Sequence, residues 1–430
     1  MTTRIITGSS PRSLSRVLLF SKSSSSPGLS RWSYNAPRRI SHRTQATIPA
    51  RTSLGLTKPK SLLPLSPAPN HHNNRRTAHT VSPPPQRSPS PSPSAPEEPY
   101  APPTTGILSY LPASWVPYGE LVRLDKPTGT YYLFFPCLFS TLLAAPLAGP
   151  PAAGPLSVAG TSLLFFVGAL VMRGAGCSIN DLWDRDLDAR VRRTRHRPLA
   201  RGAIAPAGAL AWTGAQLLAG LAVLLQFPPA CLLYGVPSLV LVSAYPLAKR
   251  VTYYPQAVLG LTFSWGAIMG FPALGVDLLA DAPALAAAAL LYASNVAWTV
   301  LYDMIYAHMD IRDDAKAGIK SIALKHDADT KKVLTGLAVV QIGLLGGAGI
   351  AAGAGPVFFI GSCGGAALTL GWMIKRVNLK SVKDCWWWFV NGCWITGGVI
   401  SLGLGADYIV RYVRDDHHDE SRNIQEQEKE

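Results

Sequence analysis

The sequence is poor in charged residues, and its first 96 positions contain no acidic residue at all. Charged side chains make up 15% of the 430 residues, and hydrophobic side chains make up 48%. An ordinary soluble domain carries about 25% charged residues, so this balance argues against a soluble protein. Residues 1–96 hold fourteen of the 40 basic residues, which leaves 26 basic and 25 acidic residues elsewhere. The net charge of +15 therefore belongs to the tail, and we expect no nucleic-acid partner.

Several common functional signatures are also absent. None of the six cysteines forms a CxxC pair, so neither a zinc site nor a disulfide framework is indicated, and we interpret these residues as buried thiols. The sequence contains no Walker loop, Rossmann fingerprint, haem signature or evident Ser/His/Asp triad. These absences direct attention to the acidic residues beside the apolar segments.

The composition divides the chain into four regions. Residues 1–50 are rich in Arg and Ser and lack acid, which is typical of a mitochondrial transit peptide; a disordered cytosolic tail is the alternative. We interpret 51–110 as a disordered linker rich in Pro and Ser. Residues 111–411 are the predicted transmembrane domain, and 412–430 are a charged C-terminal tail.

Apolar segments that are long enough to cross a bilayer recur from Pro127 onward. They predict an all-α, polytopic membrane protein with about nine transmembrane helices around a central cavity. The nine segments are 127–148, 156–177, 207–227, 229–246, 255–275, 283–303, 332–354, 356–374 and 385–411.

The connecting loops alternate in charge. With nine spans, every basic loop lies on the side of the N-terminus, including the loop that carries seven arginines between Arg185 and Arg201. The positive-inside rule assigns that side to the cytosol or, in a mitochondrion, to the matrix. We therefore predict a multi-pass protein of the mitochondrial inner membrane whose basic loops, and any site formed beside them, face the matrix.

Two acidic stretches follow even-numbered spans, so both fall on this same side. Asn180, Asp184 and Asp188 are spaced i, i+4, i+8, which places them on one face of a helix. In the second stretch the spacing is i, i+3, i+7, again one helical face, for Asp303, Tyr306 and Asp310.

Carboxylates are expensive at a membrane boundary and are usually functional there. Two opposed acidic stripes would repel each other unless hard cations such as Mg²⁺ neutralised them, and Mg²⁺ in turn binds diphosphates. Arg193 and the pair Lys249-Arg250 would complete a diphosphate site. The alternatives are solvated helix faces for the acids and positive-inside anchors for the arginines.

In their order along the chain these motifs resemble the UbiA-type intramembrane prenyltransferases. The resemblance covers about 118–411 and includes four stretches: 123–129 (RLDKPTG), 180–202, 245–250 (YPLAKR) with 255–260, and 303–321. It implies Mg²⁺-dependent transfer of a polyprenyl chain from polyprenyl diphosphate to the 3-position of 4-hydroxybenzoate, in ubiquinone biosynthesis. It also implies contact with the lipid bilayer and with other ubiquinone-biosynthesis proteins.

The resemblance further implies roles for individual residues. Five residues would hold Mg²⁺ and the diphosphate, and the four aspartates among them would be catalytic: Asn180, Asp184, Asp188, Asp303 and Asp310. Lys249, Arg250 and Arg193 would bind the diphosphate, and Tyr306 would contact substrate. For Arg123 two roles stay open, orientation of the aromatic acid or of the diphosphate.

Three other readings compete with this one. Another prenyltransferase of the same superfamily, acting on haem, homogentisate or a naphthoate, would share the acidic motifs. A transporter of acids or metal ions would explain the nine spans, but a transport path should carry polar groups near the bilayer centre. A structural subunit of a ubiquinone-assembly complex is compatible with enzyme activity.

Overall fold

The computed structural model describes residues 99–191 and 193–427; for Lys249, Arg250, Ala317 and 416–427 it describes the backbone only. The predicted transit peptide and positions 51–98 of the predicted linker lie outside these residues. Within the described part, all regular structure is helical, as the all-α prediction required. The α-helices are α1 (Val116–Leu121), α2 (Thr128–Ala144), α3 (Pro155–Asp188), α4 (Pro206–Leu224), α5 (Ala230–Gly235), α6 (Ser238–Val251), α7 (Pro255–Phe263), α8 (Gly266–Ala273), α9 (Ala282–Ala307), α10 (Ile311–Ala317), α11 (Ile322–Lys325), α12 (Thr330–Ala351), α13 (Pro356–Phe358), α14 (Gly365–Arg376) and α15 (Val382–Gln427).

Eight helical stretches in the described residues are long and apolar enough to cross a membrane. They match eight of the nine predicted spans: Thr128–Leu147, Pro155–Asp188, Pro206–Leu224, Ala230–Ala248, Ala282–Ala307, Asp327–Ala351, Pro356–Arg376 and Val382–Asp415. The remaining predicted span, 255–275, which is the fifth along the chain, is divided into α7 and α8. The described residues therefore contain eight long helical stretches and one divided span, and not nine continuous helices.

The helices begin where the sequence provides suitable residues. Pro155, Pro206 and Pro255 each stand in the first turn of a helix, where a missing backbone N–H costs nothing. The Asp281 carboxylate caps α9 by accepting a hydrogen bond from the Ala284 N–H at 3.0 Å. Gly318 ends α10 in the left-handed conformation, with φ of 69°, which favours glycine.

Helices α2 and α9 lie at the centre of the helical assembly. Neighbouring parts of the protein bury 56% of the apolar stretch that contains α2 and 61% of the apolar stretch in α9. In α4 only 17% is buried, which leaves most of its surface for lipid. The Tyr132 ring stacks on Tyr302 with centroids 3.6 Å apart, and its hydroxyl donates to the Phe389 carbonyl at 2.9 Å. These contacts join α2, α9 and α15 directly beneath the second acidic motif.

Both ends of the predicted transmembrane domain extend further as regular structure. Residues Ile107–Tyr110, within the predicted linker, form a 3-10 helix, and Leu108 is buried. At the other end α15 continues past position 411 to Gln427. The proposed limits of the domain stay predictions.

The break between α7 and α8 allows α8 to pack very closely on α2. The Ser140 hydroxyl donates to the Gly266 carbonyl at 2.8 Å and accepts from the Gly270 N–H at 3.0 Å. A Cβ atom at Gly270 would collide with the backbone of Ser140 and Thr141, because backbone atoms lie in the space that it needs. Glycine at this position is therefore a requirement of the helix contact.

This close approach gives the first prediction. We expect Gly270→Ala to destabilise the folded protein by roughly 1–3 kcal/mol, the usual cost of overpacking a filled core. The measurement is the thermal unfolding midpoint of the purified protein in detergent. Gly343→Ala is the matched control, since nothing lies within 4 Å of a Cβ added there. Equal midpoints for the two variants would contradict the packing argument.

Candidate active site

The first acidic motif forms the last turns of α3. Because the helix continues without a break to Asp188, Asn180, Asp184 and Asp188 share one helical face, as their spacing predicted. All three side chains are buried by the protein. The Thr194 hydroxyl donates to the Asp188 carbonyl at 3.0 Å, which satisfies the end of the helix. The stripe is therefore held on a rigid element.

A further acid of this motif, Asp181, was not among the predicted site residues. It is completely buried, and two arginines from separate segments bind it. Arg123 Nη2 lies 2.9 Å from both carboxylate oxygens, and Arg197 Nη1 lies 3.1 Å from one of them. The same Arg197 nitrogen lies 2.6 Å from Asp188. We call Arg123, Asp181, Asp188 and Arg197 the Asp181 cluster.

Arg123 occupies an unusual backbone conformation that directs it to Asp181. Its φ is 57°, in the left-handed region that non-glycine residues rarely adopt. Its Nη1 donates to the Glu120 carbonyl at 2.9 Å, which fixes the side chain against the end of α1. Burial alone would lower the pKa of the Arg123 guanidinium, but the Asp181 carboxylate raises it above its usual value. The arginine is therefore charged at every physiological pH.

Arg193 connects the first motif to the second. Its Nε and Nη2 lie 2.8 Å and 2.6 Å from the two oxygens of Asp310, and its Nη1 donates to the Tyr306 hydroxyl at 2.7 Å. Burial would lower the pKa of Arg193, but Tyr306 and Asp310 together raise it. A guanidinium fork thus links the loop after α3 to Asp310, 117 residues further along the chain.

The second motif departs from the single helical stripe that its spacing predicted. Helix α9 ends at Ala307, and Asp310 lies after the following turn, just before α10. His308 stabilises this turn: its Nδ1 lies 2.8 Å from the Met304 carbonyl and its Nε2 lies 3.1 Å from the Thr330 hydroxyl on α12. Tyr306 and Asp310 still come together, but through Arg193 rather than through helical periodicity.

Asn180 is oriented from a third element. The Tyr245 hydroxyl on α6 donates to the Asn180 side-chain oxygen at 2.9 Å. Because α6 also carries Lys249 and Arg250, this bond connects the helix of the two predicted diphosphate ligands to the first motif. The side chains of Lys249 and Arg250 themselves lie outside the described residues, so their roles stay predictions.

The structure reveals a further cation that the motif analysis missed. Arg173 stands on α3 seven residues before Asn180, which places it on the same helical face and about 10 Å deeper along the axis. Its Nη1 contacts the Cys177 thiol, and its Nε is buried with no hydrogen-bond partner among the described residues. Gly129 leaves room for it, because a Cβ there would collide with Nε. The hydropathy of the span conceals this single arginine.

The side chains of the two acidic motifs are of the type that binds Mg²⁺, since amide and carboxylate oxygens are its usual protein ligands. Asn180, Asp184 and Asp188 present such oxygens from one buried stripe, and Asp303 and Asp310 present them from the second motif. Among the described residues, no three Asp, Glu, His or Cys side chains are grouped closely enough to hold a metal by themselves. Arg197 instead binds Asp188 within the first motif, and Arg193, from the loop after that motif, binds Asp310 in the second.

Comparison with known sequences places this site in a family. Residues 133–396 match the model of the UbiA prenyltransferase family. A protein of Schizosaccharomyces pombe named "4-hydroxybenzoate polyprenyltransferase, mitochondrial" is 46% identical over 69% of this chain and 81% of its own length. Proteins of the same name from Saccharomyces cerevisiae and Arabidopsis thaliana are 46% and 43% identical, over 71% and 69% of this chain and 80% and 69% of their own lengths.

A solved structure agrees at the level of the fold. The UbiA homolog from Archaeoglobus fulgidus bound to DMAPP and Mg²⁺ superposes with a TM-score of 0.50 and 16% identity, covering 68% of this chain and 99% of that one. The matched family model spans more than half of the sequence and includes both acidic motifs. This chain belongs to the UbiA prenyltransferase family.

Proposed function

We propose that this protein transfers a polyprenyl group from polyprenyl diphosphate to the 3-position of 4-hydroxybenzoate, with Mg²⁺, in ubiquinone biosynthesis. The observation that carries the proposal is the similarity to mitochondrial 4-hydroxybenzoate polyprenyltransferases, which reaches 46% identity over 81% of one relative. Two acidic motifs, the first buried and the second partly exposed, lie on either side of Arg193 and provide a site of matching chemistry. The bilayer surrounds the helices and is the source of the long apolar donor.

The reaction breaks one bond and forms another. The bond between the allylic C1 and the bridging oxygen breaks, and the diphosphate departs with the electron pair. The ring carbon ortho to the phenol hydroxyl forms the new C–C bond and then gives up its proton, which the diphosphate product can accept, to restore aromaticity. Bound Mg²⁺ would neutralise the diphosphate and stabilise the charge that develops on its leaving oxygen.

The residues of this chain bind and orient the reactants. Asn180, Asp184 and Asp188 would hold the metal from α3, with Asp303 and Asp310 as the opposing ligands. Arg193 is suited to phosphate oxygens because it presents a planar fork of donors at the junction of both motifs. Lys249 and Arg250 would bind the same diphosphate. Apolar surroundings limit capture of the allylic cation by water.

Arg173 is the best-placed anchor for the carboxylate of 4-hydroxybenzoate. Arg173 is partly buried, and its buried Nε has no hydrogen-bond partner among the described residues. Such a cation is costly in a membrane helix, and a carboxylate would supply the missing charge and acceptor. Its position on the Asn180 face aims the aromatic ring toward the diphosphate site. Arg123 was the predicted candidate for orienting the acid or the diphosphate, but its guanidinium binds Asp181. We therefore assign it to that cluster.

We also propose that the enzyme lies in the mitochondrial inner membrane with this site facing the matrix. The mitochondrial names of its relatives and the basic loops beside both motifs support that orientation. Association with other ubiquinone-biosynthesis proteins stays a prediction.

The second prediction tests the metal stripe. We expect Asp184→Asn to lower kcat by roughly 100-fold or more, because a neutral amide cannot replace the carboxylate at a cation. The assay is formation of prenylated benzoate from 4-hydroxybenzoate and polyprenyl diphosphate in membranes, with Mg²⁺ or with EDTA. Asp186→Asn is the matched control, because the Asp186 side chain is 83% exposed on the opposite face. Normal turnover by Asp184→Asn, or product formation in EDTA, would refute the assignment.

The third prediction concerns the acceptor. We expect Arg173→Gln to raise the KM for 4-hydroxybenzoate by roughly tenfold or more, since a charge-assisted hydrogen bond is lost. The KM for polyprenyl diphosphate should change little. A second acceptor, in which a carboxamide replaces the carboxylate, should show a much smaller difference between the variant and the parent enzyme. Equal effects on both acceptors would show that Arg173 does not bind the carboxylate.

The fourth prediction concerns orientation. An epitope tag after residue 430 should be digested by protease in mitoplasts, whose outer membrane is open. If α7 and α8 together make one crossing beside the eight long helices, nine crossings put the C-terminus opposite the basic loops. A second tag in the loop between α3 and α4 should be protected in the same preparation. Protection of the C-terminal tag with digestion of the loop tag would reverse the proposed topology.

A further inference from the structure

A second group of contacts, outside the acidic motifs, connects the segment before α1 to the loop between α3 and α4, which we call the arginine loop. The Tyr100 hydroxyl donates to Glu120 Oε1 at 2.8 Å, and Arg201 Nη2 lies 2.6 Å from Glu120 Oε2. The Arg201 guanidinium also lies over the Tyr100 ring, 3.8 Å from its centroid. We call Tyr100, Glu120 and Arg201 the Glu120 cluster.

The Glu120 cluster is well shielded from solvent. The Glu120 and Arg201 side chains are only 17% and 14% exposed, so their ion pair is screened much less than a surface pair. Beneath it, Leu121, Leu199 and Ile204 pack into one small apolar core shared by α1 and the arginine loop. Arg201 further donates to the His196 carbonyl, which fixes the course of this loop. The cluster therefore holds two chain segments in a defined relation.

Glu120 also belongs to the chain of contacts that reaches the first motif. Its backbone carbonyl accepts from Arg123 Nη1 at 2.9 Å and from the Arg123 N–H at 3.1 Å. These bonds stabilise the left-handed conformation of Arg123, whose guanidinium binds Asp181. On the other side Glu120 fixes Arg201, which ends the loop that carries Arg197. Both arginines of the Asp181 cluster are thus positioned from the same glutamate.

We propose that Glu120 is a positioning residue for the diphosphate and metal site, and that the segment around Tyr100 helps to hold Glu120 and Arg201 in place. The proposal rests on the function proposed above and adds a residue that touches neither substrate nor metal. If Glu120 loses its charge, Arg201 loses its partner, and the loop that carries Arg197 and Arg193 becomes less constrained. Arg197 then holds Asp188 less firmly, which weakens binding of Mg²⁺ and of the diphosphate.

The fifth prediction follows from this arrangement. We expect Glu120→Gln to raise the half-saturating Mg²⁺ concentration and the KM for polyprenyl diphosphate by roughly fivefold to tenfold, since a hydrogen bond to a charged group is lost. The KM for 4-hydroxybenzoate should not change, because Arg173 lies on another part of α3. Glu120→Asp, which retains the charge, should recover at least part of the loss.

A milder variant separates positioning from folding. Tyr100→Phe removes one hydroxyl and keeps the ring beneath Arg201, so it should shift the same two parameters in the same direction by roughly twofold to threefold. Tyr110→Phe is the matched control, because Tyr110 is 86% exposed. If the Glu120 and Tyr100 variants lower only the amount of active enzyme, with both KM values and the Mg²⁺ dependence unchanged, the role is merely structural and the proposal is wrong.

A measurement without turnover keeps this test independent of the proposed function. In detergent-purified protein, trypsin should cleave the 190–201 loop faster in Glu120→Gln and Tyr100→Phe than in the parent or in Tyr110→Phe. Equal cleavage rates would overturn the proposal even in a fully active enzyme. If the parent protein makes no prenylated benzoate, the proposed function fails, whereas the cleavage comparison still decides whether the Glu120 cluster constrains the loop.

Discussion

Neutralisation of a buried carboxylate by arginine is the interaction on which the rest of this site depends. Asp181 is completely buried at the end of a membrane helix, where an uncompensated charge would cost several kcal/mol. Arg123 and Arg197 compensate it from two different segments. The chain before α2 and the loop after α3 must therefore both fold over the end of α3, and the strained backbone of Arg123 is a consequence of that requirement.

The same arginines make the region suitable for a highly charged substrate. Among the described residues, Arg193 uses three of its five N–H groups toward Asp310 and Tyr306. Phosphate oxygens can therefore be bound without breaking the link between the motifs. Because the positive groups are already held by acids, the site does not accumulate unbalanced positive charge at the membrane boundary. An anion that arrives with its own cation preserves this balance.

The sequence predicted the parts of the site that follow from helical periodicity. The Asn180, Asp184 and Asp188 stripe needed only their spacing and an apolar segment before it, and α3 supplies both. The second stripe was predicted less well, because His308 bonds to Thr330 on α12 and stabilises the turn beyond α9. Such a contact depends on tertiary packing, which no local spacing reveals. The divided span at α7 and α8 likewise depends on tertiary packing, since the break allows Gly266 and Gly270 to approach α2 closely.

Other residues were missed because their signal is a single side chain. Asp181 stands inside the first motif, yet its spacing places it off the Asn180 stripe; only the structure shows two arginines bound to it. Arg173 barely changes the hydropathy of its span. A charged residue within an otherwise apolar span is a signal in its own right, because the membrane makes it expensive to retain. That criterion would have identified Arg173 from the sequence.

The length of α3 explains how one element can serve both reactants. Its 34 residues span about 51 Å, well beyond the roughly 30 Å of bilayer hydrocarbon. One straight helix can therefore carry a cation within the membrane and an acidic stripe at its boundary, with no hinge between them. The separation of about 10 Å between Arg173 and Asn180 is fixed by helical rise alone. If Arg173 holds the acceptor carboxylate, the same rise determines which ring carbon faces the allylic C1. Regiochemistry would then be a property of helix geometry, and substitutions that shift the register between Arg173 and Asn180 would change it.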